Sequence, residues 1–278
     1  MIFRSIRGTR IPALGFGTFG LTGPEGEAAI EYALEVGYRH LDAAIRYGNE
    51  VEVGRAIRTS GIAREDIFLT GKIWFTDLAD GTLQRHAQES LDRLATDHVD
   101  LLLIHWPNEA IDLAETLRAL GAVKAAGRAR HIGVANFPTA LMRRCVEELG
   151  AELFTNQVEY HPFLDQDTVL GLCRRYGMLL TAYIPLARGA VAHDPVLAEI
   201  GAAHGKTAAQ VALRWLLQQP DVAAIPRSGR RERIRENFDV FDFALSGEEM
   251  RRIDALRGDR RIVNVDWAPQ WDPPRPRA

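Results

Sequence analysis

Short apolar or β-branched runs alternate along the chain with longer stretches in which apolar residues recur at helical spacing. Eight such runs stand in order: IPALGFG, YRHLDAA, IFLTGK, VDLLLIHW, HIGVANF, FTNQVEY, LLTAYIPL and VAAIPRS. Between them lie helix-patterned segments such as GEAAIEYALEVG, NEVEVGRAIRTSG, LQRHAQESLDRLA and LAETLRALGAVKAAG, several ending in the glycine that a left-handed cap requires. Repeated βα units predict a parallel sheet. Eight of them, at a spacing of about thirty residues, predict an α/β protein of the closed (β/α)8 or TIM-barrel type. Pro107, Pro138, Pro162, Pro185 and Pro226 fall just after strand ends, where a missing N–H cannot harm the ladder. Ahead of the first barrel strand, the alternation of Ile2, Arg4 and Ile6 and the turn residues Arg7-Gly8-Thr9 predict an N-terminal β-hairpin. The ending WAPQWDPPRPRA holds too much proline to be regular. Residues 1–278 are therefore read as a single barrel domain, with 262–278 an irregular C-terminal tail.

The 278 residues are 46% hydrophobic and 26% charged, which excludes a disordered or fibrous chain. The formal net charge of −3 gives no general attraction for nucleic acid or for an anionic membrane, so neither is expected as a partner. No run reaches the roughly 20 apolar residues of a spanning helix, and the first residues lack a signal-peptide apolar core, so a cytoplasmic protein is expected. Cys145 and Cys173 have neither CxxC nor metal spacing and read as buried small hydrophobes. With no long heptad run and no sheet edge in a closed barrel, a monomer is expected.

GFGTFG, Gly15 to Gly20, matches the G-x-G-x-x-G of a dinucleotide-binding unit, with Asp42 at the end of the next strand. The match is poor, because LTGPEG intervenes before helical periodicity begins. In a (β/α)8 barrel the residues at the C-terminal strand ends converge on one mouth. Those positions hold Asp42 and Tyr47 after the second strand, Lys72 closing the third and His105 closing the fourth. Each alone has a bland reading: a helix cap, a packing phenol, a satisfied core histidine. Lys72 is more informative, since FLTG carries it into the interior, where an ammonium needs an acid, and Asp42 on the adjacent strand is the partner at hand. An ammonium beside Tyr47 would stabilise the phenolate and lower the phenol's pKa, and a histidine could orient a carbonyl or relay the proton. With no activated nucleophile and no metal-ligand spacing, the chemistry implied is protonation of something reduced by a hydride cofactor.

GYRHLDAAIRYGNE, LTGK, LLLIHWP, GVANF, TNQVEYHP, AYIPL and IPRSGRRERIREN together resemble the aldo-keto reductase superfamily, over Ile11 to Asp272. The ending RIVNVDWAPQWD is similar to its bacterial diketogluconate and methylglyoxal reductase branch. The resemblance implies a catalytic tetrad of Asp42, Tyr47, Lys72 and His105, with Tyr47 as proton donor to a small aldehyde or ketone. It implies that Asn136 and Gln157 hold the cofactor's carboxamide, that Tyr183 stacks on its nicotinamide, and that Leu186 lies beside it. Arg227, Ser228 and Arg233 would grip a 2′-phosphate and Asn237 the adenine, which makes NADPH (NADP+) the expected cofactor. Phe19, Trp74 and Trp106, with Trp267 or Trp271 from the tail, would line the substrate pocket. Three positions depart from the family pattern: Ala135 removes a hydroxyl beside the carboxamide site, Ile184 replaces the usual serine or glycine, and Arg227 stands for lysine. Sugar keto acids, methylglyoxal and simple aldehydes all remain open as substrates. Two other readings stay in view. One is an NADP-binding regulatory or sensing barrel with little turnover. The other is a barrel enzyme using Lys72 for a Schiff base, which pairing with Asp42 disfavours.

Overall fold

The computed structural model describes residues 1–274. The chain opens with strands β1 (Phe3–Ile6) and β2 (Thr9–Pro12), paired antiparallel with Ile6 opposite Thr9. Arg7 and Gly8 both lie at positive φ, 49° and 79°, as the tightest hairpin turns require. Eight parallel strands follow as one curled sheet in chain order: β3 (Phe16–Gly17), β4 (His40–Asp42), β5 (Phe68–Ile73), β6 (Val99–Ile104), β7 (Ala129–Ala135), β8 (Thr155–Glu159), β9 (Leu179–Tyr183) and β10 (Val222–Ala224). The two edges are hydrogen bonded to each other. Gly15 N–H donates to Ala224 O at 2.9 Å, Ala224 N–H to Ala13 O at 2.8 Å, and Gly17 N–H to Pro226 O at 3.0 Å.

These bonds explain the glycines of GFGTFG. A Cβ on Gly17 would stand 3.1 Å from Ile225 O, and one on Gly15 only 2.6 Å from His40 Nδ1. The glycines allow the first strand to approach the last, and a sheet in unbroken chain order has no switch-point crevice for a dinucleotide.

The helices α1 (Gly23–Val36), α2 (Glu50–Thr59), α3 (Thr82–Leu94), α4 (Leu113–Ala125), α5 (Thr139–Arg143), α6 (Asp167–Arg175), α7 (Pro195–His204), α8 (Ala208–Gln218), α9 (Arg231–Phe238) and α10 (Gly247–Asp254) lie between and after the strands. In α1 the buried Gly26, Ala29, Ile30, Ala33 and Leu34 form one stripe, and the helix ends on Gly37 at φ 124°. Reciprocal caps start two others, Thr207 with Gln210 on α8 and Ser246 with Glu249 on α10. Among the described residues no helix is long and apolar enough to cross a membrane, and Cys145 and Cys173 are buried and free.

Strand periodicity sorts the sheet residues into two cores. Leu41, Leu69, Leu102 and Ile104 belong to the large core that includes the buried helix residues. Phe68, Leu101, Leu103, Leu179 and Ala223 form a second, inner core with Ile6 and Ile11 of the hairpin. Following those inward positions along each strand, apolar residues give way to polar ones: Phe68 to Thr70 and Lys72, and Leu179 to Thr181 and Tyr183. The polar groups therefore gather at the C-terminal rim.

One inward residue makes the fold acid-sensitive. His40 is buried, and its Nε2 is 3.2 Å from Thr70 Oγ1. Burial pushes its imidazole down to about 4, with Asp42 partly offsetting. The folded state thus binds fewer protons than the unfolded chain below the ordinary histidine pKa of 6.5. Stability is full above that value and is lost as pH falls toward about 4. Thermal unfolding should accordingly move to lower temperature over this range, His40 contributing about 3 kcal/mol. His40→Gln should flatten the decline; an unchanged slope would remove His40 as its cause.

Candidate active site

The rim at β4 and β5 brings together the first three sequence-predicted residues. Lys72 is fully buried, and Asp42 is 1% exposed. Lys72 Nζ donates to Asp42 Oδ1 at 2.5 Å, to Ala43 O at 3.0 Å and to Tyr47 Oη at 3.1 Å. Register explains the meeting, because Asp42 pairs with Thr70, two residues before Lys72 on the same face of β5. Tyr47 stands on the 3-10 turn Ile45–Tyr47 that follows β4, capped by Gly48 at φ 66°. His105 immediately follows β6; its ring lies edge-on to Tyr47, centroids 5.7 Å apart, and its buried Nδ1 has no partner.

Burial pushes the Tyr47 phenol up, and the Lys72 ammonium offsets this only in part. The expectation of a lowered phenol is thus corrected: in a site this dry, desolvation of a phenolate outweighs one ammonium already shared with a carboxylate. Burial alone would lower Lys72, but Asp42 and Tyr47 outweigh it and hold the ammonium above its ordinary value. His105 is held well below the ordinary histidine value by burial and by the Lys72 charge, so its imidazole is neutral at pH 7. The arrangement comprises a protonated phenol, a permanent cation behind it and a neutral imidazole beside it. Because the phenol oxygen accepts from Lys72, its own proton remains available to a group in the pocket.

The neighbouring strands carry the expected amide pair. Gln157 Nε2 donates to Asp42 Oδ2 at 2.7 Å, so a single carboxylate grips both Lys72 and Gln157. Asn136 sits at φ 64°, a left-handed conformation asparagine tolerates; its Nδ2 donates to His105 O at 2.9 Å and its Oδ1 accepts from Tyr183 Oη at 2.7 Å. Ile184, next to Tyr183, lies at φ 50°, costly for a β-branched residue. Leu186 is half-buried against the large core at the start of an irregular 3-10 stretch. Beyond β10, Arg227 Nε donates to Phe19 O at 2.9 Å and its Nη2 to Gly20 O at 3.1 Å. Ser228 Oγ accepts from Arg230 N–H at 3.1 Å, and Arg233 pairs with Glu236 at 2.6 Å. Asn237 is 4% exposed and makes no side-chain hydrogen bond among the described residues.

Most of the aromatic residues singled out in the sequence make ring contacts at this rim, and Phe75 joins them. Phe19, 65% exposed, lies edge-on to Tyr47 with centroids 5.1 Å apart. Trp74 lies edge-on to His105 at 5.1 Å and to Trp267 at 5.8 Å; Trp267 stacks on Phe75 at 5.6 Å; Trp271 meets Trp106 at 6.0 Å. The tail is irregular through residue 274 yet docked, and residues 275–278 fall outside the described part. Asp272 accepts from Thr139 N–H and Oγ1, at 2.8 and 2.5 Å. The main anchor is Glu159, fully buried, which accepts the backbone N–H groups of Ile262 at 2.6 Å and Val263 at 2.7 Å, with His161 Nε2 at 3.1 Å. Burial would raise this carboxyl, but His161 and the two amides hold it below its ordinary value. The signal for Glu159 was an acid at a strand's C-terminal end, the same that marked Asp42. Asn49 also went unnoticed: its Nδ2 donates to Thr18 O at 2.7 Å and Leu21 O at 2.8 Å, holding the loop after β3.

A model described as the aldo/keto reductase family matches residues 13–257. The methylglyoxal reductase DkgB of Escherichia coli O157:H7 is 39% identical over 266 residues, 94% of this chain and 99% of that protein. The glyoxal reductase of Bacillus subtilis (strain 168) is 40% identical over 256 residues, 92% of each. The solved structure of a putative 2,5-diketo-D-gluconic acid reductase B superposes with a TM-score of 0.94 at 49% identity, covering 98% of both chains.

Proposed function

The chain belongs to the aldo/keto reductase family of oxidoreductases, and on that premise we propose that it reduces small aldehydes and ketones with NADPH, Tyr47 donating the proton. We read the curled sheet with its joined edges as the closed (β/α)8 barrel, one domain and one chain per active unit. The observation that carries the reading is the hydrogen-bonded series from Asp42 through Lys72 to the Tyr47 hydroxyl, ending at an aromatic-walled mouth.

The residues present fit a phosphorylated nicotinamide cofactor. The Arg227 guanidinium is held by two backbone carbonyls and, among the described residues, is paired with no carboxylate. It stands beside the Ser228 hydroxyl and a start of α9 that has no side-chain cap. Asn136 and Gln157 would hold the carboxamide and Tyr183 the ring, with Leu186 beside it and Asn237 near the adenine. When bound, the cofactor supplies the hydride that adds to the carbonyl carbon. Neutral His105 donates a hydrogen bond that aims the carbonyl oxygen at Tyr47. Tyr47 passes its proton to that oxygen as negative charge develops there, and Lys72 stabilises the phenolate left behind. Asp42 keeps Lys72 charged and in place. None of these steps asks for a metal, and among the described residues no group of three or more His, Cys, Asp or Glu could hold one.

Loss of NADPH absorbance with methylglyoxal, glyoxal and a panel of small aldehydes and sugar keto acids tests the reading. An enzyme that binds NADPH and reduces none of them would instead be a sensing barrel. For the cofactor, Arg227→Ala with Arg233→Ala should weaken NADPH by about 100-fold and leave NADH nearly unaffected, as two charge-assisted contacts would. Fluorescence titration reads this without turnover. Equal wild-type affinity for the two cofactors would refute the preference.

A further inference from the structure

Two guanidinium groups stand at the aromatic wall without a hydrogen-bonded acid among the described residues. Arg46, exposed and directly before Tyr47, places its Cζ 5.4 Å from the ring centre of Trp74, the ring that lies edge-on to His105. It makes no side-chain hydrogen bond or ion pair among the described residues. On the tail, Arg261 places its Cζ 3.9 Å from the ring centre of Trp271, which meets Trp106, and its Nη1 is buried with no partner. The carboxylates nearest in charge to Arg261 are Glu159 and Asp272. Both act on Arg261 as charges, because hydrogen bonds from the neutral tail amides and from Thr139 do not cancel a carboxylate's charge, so the Arg261 cation is offset. The acid deepest in the site, Asp42, is neutralised by Lys72.

Arg46, without an ion-pair partner among the described residues and set at the edge of the aromatic wall, attracts anions over a distance set by salt screening. We propose that this pocket selects carbonyl compounds bearing a carboxylate, with Arg46 as the group that binds it. Arg46 Cζ lies 5.4 Å from the Trp74 ring centre, which is itself 5.1 Å from the His105 ring centre, so the carboxylate is carried several bonds from the carbonyl carbon rather than on the adjacent carbon. A guanidinium matches a carboxylate fork to fork, and the contact with the Trp74 ring keeps the Arg46 head group beside the mouth. This deepens the reductase reading and rests on it.

The test compares succinate semialdehyde and glutarate semialdehyde with butanal and pentanal, each with NADPH. In the wild type, kcat/KM should favour the semialdehydes, and the preference should shrink as ionic strength rises from about 20 to about 500 mM, where charge attraction is screened. Arg46→Ala should lower the semialdehyde-to-alkanal ratio about tenfold through KM, with Arg46→Lys intermediate and Arg261→Lys retaining most of the preference. A wild-type ratio that is near unity, or that ignores salt, overturns the proposal whether or not the variants fold. So does an unchanged ratio in Arg46→Ala. Failure to reduce either series would count against the reductase reading itself, whereas reduction of both without a charge preference removes only the carboxylate anchor.

Discussion

Tyr47→Phe is expected to slow carbonyl reduction by about 10² to 10⁴-fold while NADPH affinity stays within a factor of about two, the range for removing a positioned acid that the cofactor does not need. The ring contacts of Tyr47 with Phe19 and His105 survive the change, so the fold and the aromatic wall should persist. The loss should fall on kcat rather than on KM, because the proton is needed only as the carbonyl oxygen becomes an alkoxide. The pH profile of the wild type follows from the same group. Tyr47 and Lys72 lie above their ordinary values of 10.0 and 10.5, and His105 well below 6.5. None of the three changes charge between, so kcat/KM should be flat from about pH 6.5 to about 10, limited below by other groups or by acid unfolding. A variant keeping more than about a tenth of wild-type kcat would remove Tyr47 as the donor.

Asp42→Asn should cost about 3–5 kcal/mol of stability, because it leaves the buried Lys72 ammonium without its counter-charge. Activity should fall about 10²-fold or more, since burial then drives Lys72 toward the neutral amine and the phenolate loses its stabilising cation. The sign of the pH effect is diagnostic. In the wild type the raised Lys72 pKa gives stability that is complete below 10.5 and lost only as pH rises through the folded value. In the variant the folded pKa is depressed, so the deficit shrinks as pH rises toward 10.5 and the unfolded chain also loses its proton. Urea unfolding across pH reads both slopes. Adding Lys72→Met should restore much of the stability and none of the activity, separating the structural from the chemical role of the pair. If Asp42→Asn alone unfolds like the wild type, the charge balance drawn here is wrong.

The strands, the hairpin and the meeting of Asp42, Lys72 and Tyr47 were legible because each follows from a short-range rule: period two along a strand, glycine at positive φ, a buried ammonium needing an acid. The direction of the Tyr47 shift was not, since it depends on how completely water is excluded, a property of the whole assembled mouth. The ammonium is visible as one residue beside another, whereas the desolvation comes from every group that closes the mouth. Glu159 was readable in principle as an acid at a strand end. Its partners, the amides of Ile262 and Val263, lie 103 and 104 residues away and leave no mark on side-chain identity. Arg46 and Arg261 looked like two among many arginines until the structure set them against Trp74 and Trp271.

The docking of the tail by main-chain groups has an evolutionary consequence. Glu159 grips amides that every residue except proline possesses, and Gly258 and Arg260 likewise donate backbone N–H groups to Phe163 O. Substitutions between 263 and 272 can therefore exchange Trp267 or Trp271 for other side chains without undocking the segment at its base. On the proposed reading, in which Trp267 and Trp271 line the pocket, drift in this one stretch would alter the substrates accepted while leaving the Asp42, Lys72 and Tyr47 series untouched. On the same reading, grafting residues 264–271 from a relative onto this chain would exchange substrate preference on an unaltered reaction.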